Sequence, residues 1–253
     1  MKQGVMLSGG LQIRTNDPAK AARSRRLKVV TYNVHRSIGT DGVHDPARTA
    51  EVIRETGAAI LALQEVEDYS NDPQALARAG GMRAIPGPTI TGPDSNYGNL
   101  LLTRLRVEQA QCLDLSWGKR EARGVIDARL YTDEGACLRC LATHLGLTPR
   151  ERVYQHRLLR RLLEDSWRGP TLLMGDFNEW YPCATTTRAL NRLLGRSRAV
   201  RTFPSWLPLL PLDRIWIHPP HLLRSIQAWR TPCARRASDH LPLVAELGLS
   251  HKL

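Results

Sequence analysis

Residues 27–66 read LKVVTYNVHRSIGTDGVHDPARTAEVIRETGAAILALQEV. LKVVTYNV is an apolar run of strand length, rich in β-branched residues, and reads as a buried strand. In DPARTAEVIRET, Asp45 stands where an N-cap belongs and Pro46 at the first helical position, with Ala47, Ala50 and Ile53 as the apolar face. Gly57 closes that helix and AAILALQEV follows as a second strand, so the chain opens strand, helix, strand.

The pattern continues on the C-terminal side of this unit. AIPGPTITGPDSNYG reads as a long loop, and NLLLTRL, RGVIDARLY and ACLRCLATHL as strands, the last two joined by the turn residues TDEG as a hairpin. In TPRERVYQHRLLRRLLED, Thr148 and Glu151 have capping-box spacing, and Val153, Leu159, Leu162 and Leu163 form an apolar stripe. PTLLMG is a further strand, TTTRALNRLLG a helix closed by Gly195, and PLDRIWI and LPLVAEL two final strands. Hairpins mixed with crossovers predict one α/β domain over residues 27–249 with helices covering layered sheets.

Residues 1–26 are polar and basic and predict a flexible tail, whose Arg23, Arg25 and Arg26 suit either a polyanion or plain solvation. The first residues lack an apolar signal core and no later stretch has the length to span a bilayer, since FPSWLPLLPL is broken by prolines; the expected location is cytoplasmic. With 253 residues, 42% hydrophobic and 24% charged, the composition is that of a folded chain. The net charge of +12 favours anionic partners such as phosphate backbones or acidic lipid headgroups. Nearly all of it is Arg, which a biased genome would also produce. Five cysteines without regular spacing fit a reducing compartment. CLRC (137–140) has zinc-like spacing but lies in a strand, where residues three apart face opposite sides, and no second pair completes four ligands.

Polar residues recur at strand ends: Asn33, Glu65, His144, Asp176 and Asn178, then Asp213 at a strand start and Asp239 with His240 just before the last strand. Brought together, they supply carboxylates, imidazoles and amides for hydrolysis of a phosphate ester, with oxygen ligands for Mg²⁺ and a His–carboxylate pair for protons. Mn²⁺ suits the same oxygen-rich set, and zinc would prefer more nitrogen and sulfur. Taken singly, each of these residues also fits a loop cap.

TYNVH, LQEV, THL, GDFNEW, LDRIW and SDHLPL occur in this order over roughly residues 28–247 and resemble the endonuclease/exonuclease/phosphatase family. The resemblance implies a four-layer α/β sandwich, two mixed β-sheets face to face with helices outside, and a site at one edge. It implies Glu65 as principal metal ligand with Asn33 and Asp239 beside it, and His240 as the proton-handling imidazole oriented by Asp213. Asp176 and Asn178 would align water and hold phosphate, and His144 would bind a phosphoryl oxygen or protonate the leaving group. Arg123 in EARGV and Asn99 in YGNLLLTR resemble substrate-proximal positions through looser motifs; a surface or core-edge role fits each as well.

His35 stands where several deoxyribonucleases and abasic-site endonucleases carry an acidic residue, and THL differs from the abasic-repair branch. The leading expectation is a Mg²⁺-dependent phosphodiesterase or nuclease acting on nucleic acid. The alternatives are hydrolysis of a phospholipid or small phosphorylated metabolite, and a non-catalytic module binding nucleic acid or acidic membranes. No obligate protein partner is evident. Trp180, Tyr181, Phe203, Trp206 and Trp216 lie near these motifs; Trp216, alternating within a strand, reads as core, while Trp180 and Trp206 fit either core or cleft.

Overall fold

In the computed structural model, which describes residues 26–249 apart from 70, 166, 182 and 183, the opening unit forms as β1 (Arg26–Asn33), α1 (Pro46–Thr56) and β2 (Ile60–Glu67). Asp45 Oδ1 accepts the backbone N–H groups of Ala47 and Arg48 at 3.1 and 3.3 Å, and Gly57 ends the helix at φ 58°. The buried face of α1 is Thr49, Val52, Ile53 and Thr56; Ala47 is exposed. The branched side chains, larger than the alanines, set which face turns to the sheet. Arg26, expected in the tail, is the first residue of β1, where its guanidinium meets Glu246. The remaining expected tail, with Arg23 and Arg25, lies outside the described residues, as does Cys183.

The chain continues through α2 (Pro73–Gly80), β3 (Arg83–Thr91), β4 (Asn96–Thr103), β5 (Arg106–Asp114), β6 (Gly124–Tyr131) and β7 (Cys137–His144). Then come α3 (Pro149–Leu163), β8 (Thr171–Asp176), α4 (Thr185–Leu194), β9 (Asp213–His218), β10 (Leu223–Ala228), α5 (Pro232–Ala237) and β11 (Leu243–Gly248). The strands make two mixed sheets, β10-β11-β1-β2-β4-β3 and β5-β6-β7-β8-β9. Between the sheets lies a core of Val29, Ile60, Leu101, Ile126, Cys140, Met174, Ile215 and Leu243, among others. Alternate residues of the first sheet, Val30, Leu61, Leu100 and Val244, pack outward on Val52 and Ile53 of α1, Leu76 of α2 and Ala234 of α5. Leu141, Leu173 and Trp216 of the second sheet pack outward on Leu159 of α3 and Leu190 of α4. Helices, sheet, sheet, helices: the chain is a four-layer α/β sandwich whose central strands are buried on both faces.

The departures from expectation fall mostly at edges. The segment read as a long loop forms β3 and the start of β4, paired from Arg83↔Thr103 to Thr91↔Asn96. Pro86 and Pro88 disguised β3, and they are tolerated because β3 ends its sheet and needs no second ladder. The outermost strands β5 and β10 lack apolar alternation because polar side chains along them stay exposed. In α3 the expected stripe holds at Leu159 with Leu162 and Leu163 half-buried, but Val153 is exposed, and Glu151, Arg152, Gln155 and His156 are buried in its place. The capping box is half made: Thr148 Oγ1 accepts the Glu151 N–H at 3.4 Å, while the Glu151 carboxylate turns to Gln155 Nε2. Cys140 is buried in the inter-sheet core and Cys137 half-buried, both as free thiols.

Candidate active site

Strand pairing alone aligns three residues of the predicted site. β7 and β8 place His144 beside Asp176, and β8 and β9 place Asp176 beside Asp213, so the three side chains stand in one row across the second sheet. Gly175 permits the close strand approach: a Cβ there would lie 1.9 Å from the Thr143 carbonyl oxygen. In the first sheet Asn33 ends β1 opposite Gln64. The next residue, Glu65, has φ 57° at a register break between Leu63 and Val66, which turns its carboxylate to Asn33. Asn33 Nδ2 donates to Glu65 Oε1 at 2.9 Å and to Asp176 Oδ2 at 3.1 Å, joining the two sheets at this edge.

Asp239 and His240 arrive on the loop before β11. Ser238 holds that loop: its hydroxyl donates to the Asn33 carbonyl at 2.8 Å and accepts the His240 N–H at 3.2 Å. His240 Nδ1 lies 2.9 Å from Asp213 Oδ2, which also accepts the Thr202 hydroxyl at 2.6 Å, and His240 Nε2 lies 3.6 Å from Asp176 Oδ2. On the other side of Asp176, His144 Nε2 lies 3.7 Å from the same oxygen. Donors face both nitrogens of that ring: Arg123 Nη1 at Nδ1, 2.9 Å, and Asn178 Nδ2 at Nε2, 3.1 Å. Asn178, at φ 49°, is fixed by its own N–H to Asp176 Oδ1 and its amide to the Leu145 carbonyl.

These surroundings set the protonation states. Burial alone would lower His240, but the charges of Asp213 and Asp176, the Asp213 hydrogen bond and Asp239 outweigh it and raise its pKa to about 10. Burial, and then the Arg123 and His240 charges, hold His144 well below the ordinary imidazole range. Burial lifts Asp176 to about 6, with Asp213 adding to the rise against the opposing pull of His240 and of its hydrogen bonds from Asn178 and Asn33.

A cleft of about 390 Å³ opens over this floor, lined by Asn33, Glu65, Arg123, His144, Asp176, Asn178, Asp239 and His240. Asp213 lies behind His240, fully buried. Asn99 does not reach the cleft: it is buried on β4 and donates to the Gly124 carbonyl at 3.1 Å, tying the sheets together. The cleft also takes His35, Arg36, Tyr97, Glu121, Trp180 and Phe203; Arg36 lies in no quoted motif, while Tyr97 and Glu121 open the looser stretches YGNLLLTR and EARGV, where only Asn99 and Arg123 were singled out. His35, Arg36 and Ser37 are consecutive left-handed residues at φ 47°, 53° and 57°, and Arg36 lies over the Tyr97 ring at 4.9 Å. Trp216 is core, in edge contact with Phe177 at 4.7 Å, whereas Trp180 and Trp206 are exposed.

Two groups of ligating atoms are distinct here. Asp176, Asp213 and His240 converge within 4.8 Å, close enough for a metal ion. Within this group His240 Nδ1 and the Asp213 oxygen facing it are engaged with each other. Glu65 and Asp239 line the open cleft with carboxylates, donors of the kind a hard divalent cation takes. Asn33 turns its Nδ2 toward Glu65 and Asp176, and its Oδ1 accepts the His35 N–H at 3.0 Å.

The family model described as Endonuclease/Exonuclease/phosphatase family matches residues 30–240. The chain is 29% identical to the uncharacterized protein YbhP of Escherichia coli (strain K12), over 88% of this chain and 96% of that one. Among solved structures it resembles a mannosyl-6-phosphatase of Bacteroides thetaiotaomicron, with TM-score 0.74, 17% identity, and 88% of this chain and 100% of that chain covered. It also resembles the human Nocturnin catalytic domain with a bound sulfate anion, at TM-score 0.70 and 21% identity, covering 89% and 95%.

Proposed function

Because this chain belongs to the endonuclease/exonuclease/phosphatase family, we propose that it hydrolyses phosphate esters, and phosphodiesters of nucleic acid first among them, with a bound divalent cation. The observation that carries the reading is the Asp213–His240–Asp176 chain lying beside Asn33 and the Glu65 and Asp239 carboxylate oxygens at one edge of both sheets. Those oxygens would hold Mg²⁺ or Mn²⁺. When bound, the cation neutralises phosphoryl oxygens and makes water more acidic.

The protein groups divide the remaining work. Asp176, lifted to about 6, orients a water and takes its proton near neutral pH. His240, fixed by Asp213 and cationic, stabilises that carboxylate and the charge developing on a phosphoryl oxygen. Of the two imidazoles, His240 is the one with a proton to give; His144 stays neutral and acts as part of the phosphate cradle with Arg123 and Asn178. The net charge of +12 supports a polyanionic substrate. The likeness to a mannosyl-6-phosphatase keeps small phosphorylated metabolites as the second reading.

The test is Mg²⁺-dependent hydrolysis of plasmid DNA, single-stranded DNA, RNA, phospholipid, a sugar phosphate and bis-p-nitrophenyl phosphate, with Glu65→Gln as control. Nucleic-acid cleavage lost in the variant supports the leading reading. Turnover of lipid or small esters alone moves the substrate, and no turnover on any of them favours a binding module.

A further inference from the structure

Between Glu179 and Asp213 the chain has no acidic residue and five arginines, Arg188, Arg192, Arg196, Arg198 and Arg201. All five are exposed. The segment begins and ends at the cleft, because Trp180, Phe203 and Leu212 line it. Between the last two it protrudes. The bridge Phe203↔Leu210 closes the base, with the Leu209 and Leu210 N–H groups both donating to the Phe203 carbonyl at 2.8 Å. Arg235 braces the turn through the Ser205 and Trp206 carbonyls at 3.4 and 3.3 Å. At its tip Trp206, Leu207 and Leu209 are 66%, 49% and 54% exposed.

Single apolar residues on a surface need no explanation, but a tryptophan and two leucines within four positions on a braced turn keep substantial apolar area in water. We propose that this wall docks on an anionic lipid bilayer, with the Trp206–Leu209 tip in the interface and the arginines leading into it, Arg196, Arg198 and Arg201, on headgroup phosphates. The chemistry selects this occupant. Unpaired bases stack on aromatic faces, whereas Leu207 and Leu209 offer only hydrocarbon, which suits acyl chains, with Trp206 at headgroup level. A second copy of this chain would bring arginine against arginine. The docking is peripheral, made by the tip and the arginines; among the described residues no helix is long and apolar enough to cross a membrane. Docking this way brings the cleft, whose wall the segment builds, close to the lipid headgroups.

The experiment is co-sedimentation of the full chain with vesicles of phosphatidylcholine alone and of equal parts phosphatidylcholine and phosphatidylglycerol, beside gel-shift binding to single-stranded DNA. The anionic vesicles are expected to bind the chain and to release it as salt rises. The triple variant Trp206→Ser, Leu207→Ser, Leu209→Ser is expected to lower that binding roughly tenfold or more while bis-p-nitrophenyl phosphate hydrolysis is unchanged. Arg196→Gln with Arg198→Gln and Arg201→Gln should weaken the salt dependence. No binding to anionic vesicles, or binding that the tip variant leaves intact, overturns the proposal. Loss of DNA binding in the tip variant without vesicle binding assigns the wall to nucleic acid and overturns it too. Docking is read without turnover, so its failure leaves the phosphoesterase reading standing, and loss of ester hydrolysis in the wild type counts against that reading alone.

Discussion

His240 and His144 flank one carboxylate oxygen, at 3.6 and 3.7 Å from Asp176 Oδ2, and both are buried. They nevertheless sit in opposite electrostatic surroundings. His240 meets the Asp213 carboxylate and is carried up to about 10, while His144 meets the Arg123 guanidinium and falls well below its ordinary value. A third imidazole, His156 on the inner face of α3, has no hydrogen-bond partner at either nitrogen and is held near 4 by burial and by Arg152. Burial pushes all three the same way. The neighbouring charge decides which ring is held as a cation.

The most direct way to break the comparison is Asp213→Asn, which removes the carboxylate that charges His240. The expected loss in kcat/KM is about 10³–10⁴-fold, by analogy with other orienting Asp–His pairs, with the imidazole pKa falling from about 10 in an NMR titration. An unchanged rate would show that the charge difference between the flanks has no catalytic meaning. His156 tests burial with no carboxylate facing the ring. Its folded value near 4 lies below the ordinary 6.5, so between these the unfolded chain takes up a proton that the folded chain does not. Stability is therefore expected to fall by about 3 kcal/mol as pH drops from about 6.5 to 4. His156→Leu should flatten this part of the urea-unfolding pH profile; an equal slope in the variant would place the loss elsewhere.

The pH–rate profile sharpens the picture at the shared carboxylate. Asp176 must be ionised to take a proton, and at about 6 its acid limb is expected near pH 6, kcat/KM falling about tenfold per unit below it. An acid limb near 4 would mean an unperturbed carboxylate. The mildest change is Arg123→Gln, expected to cost roughly ten- to a hundredfold in kcat/KM, partly through KM, and to raise the His144 pKa toward the ordinary range. A variant with lower activity but an unmoved His144 titration would assign Arg123 to phosphate alone.

Much of the fold was legible because interior strands are marked twice, by β-branched apolar runs and by bounding turns. β1, β2, β6, β7 and β8 carry both marks. β3, β5 and β10 carry neither: β5 and β10 expose polar side chains along their length, and β3, at a sheet edge, tolerates two prolines. The helix α3 misled for a different reason: it buries Arg152, which reaches the Leu147 carbonyl and Glu179, so its inner face looks like a solvated one. Motif order identified Glu65, His144, Asp176 and His240, and the structure brings them to one cleft. Asn99, singled out through a looser motif with a core-edge role as its alternative, takes the core-edge role and faces between the sheets, because a local motif does not say which side of a strand its residue takes.

The amino-acid order by itself determined which residues sit at strand ends, since strand length and turn chemistry are local properties. It also carried the oxygen-rich and imidazole inventory of the site, which depends on residue type alone. The strand pairing that sets His144, Asp176 and Asp213 in one row, the bulge that turns Glu65 to Asn33, and the choice of carboxylate or guanidinium for each imidazole were decided only in the tertiary structure. The reason is physical: a side chain's charge state is fixed by burial and by neighbours far away in the chain, and those neighbours exist only once the two sheets have packed.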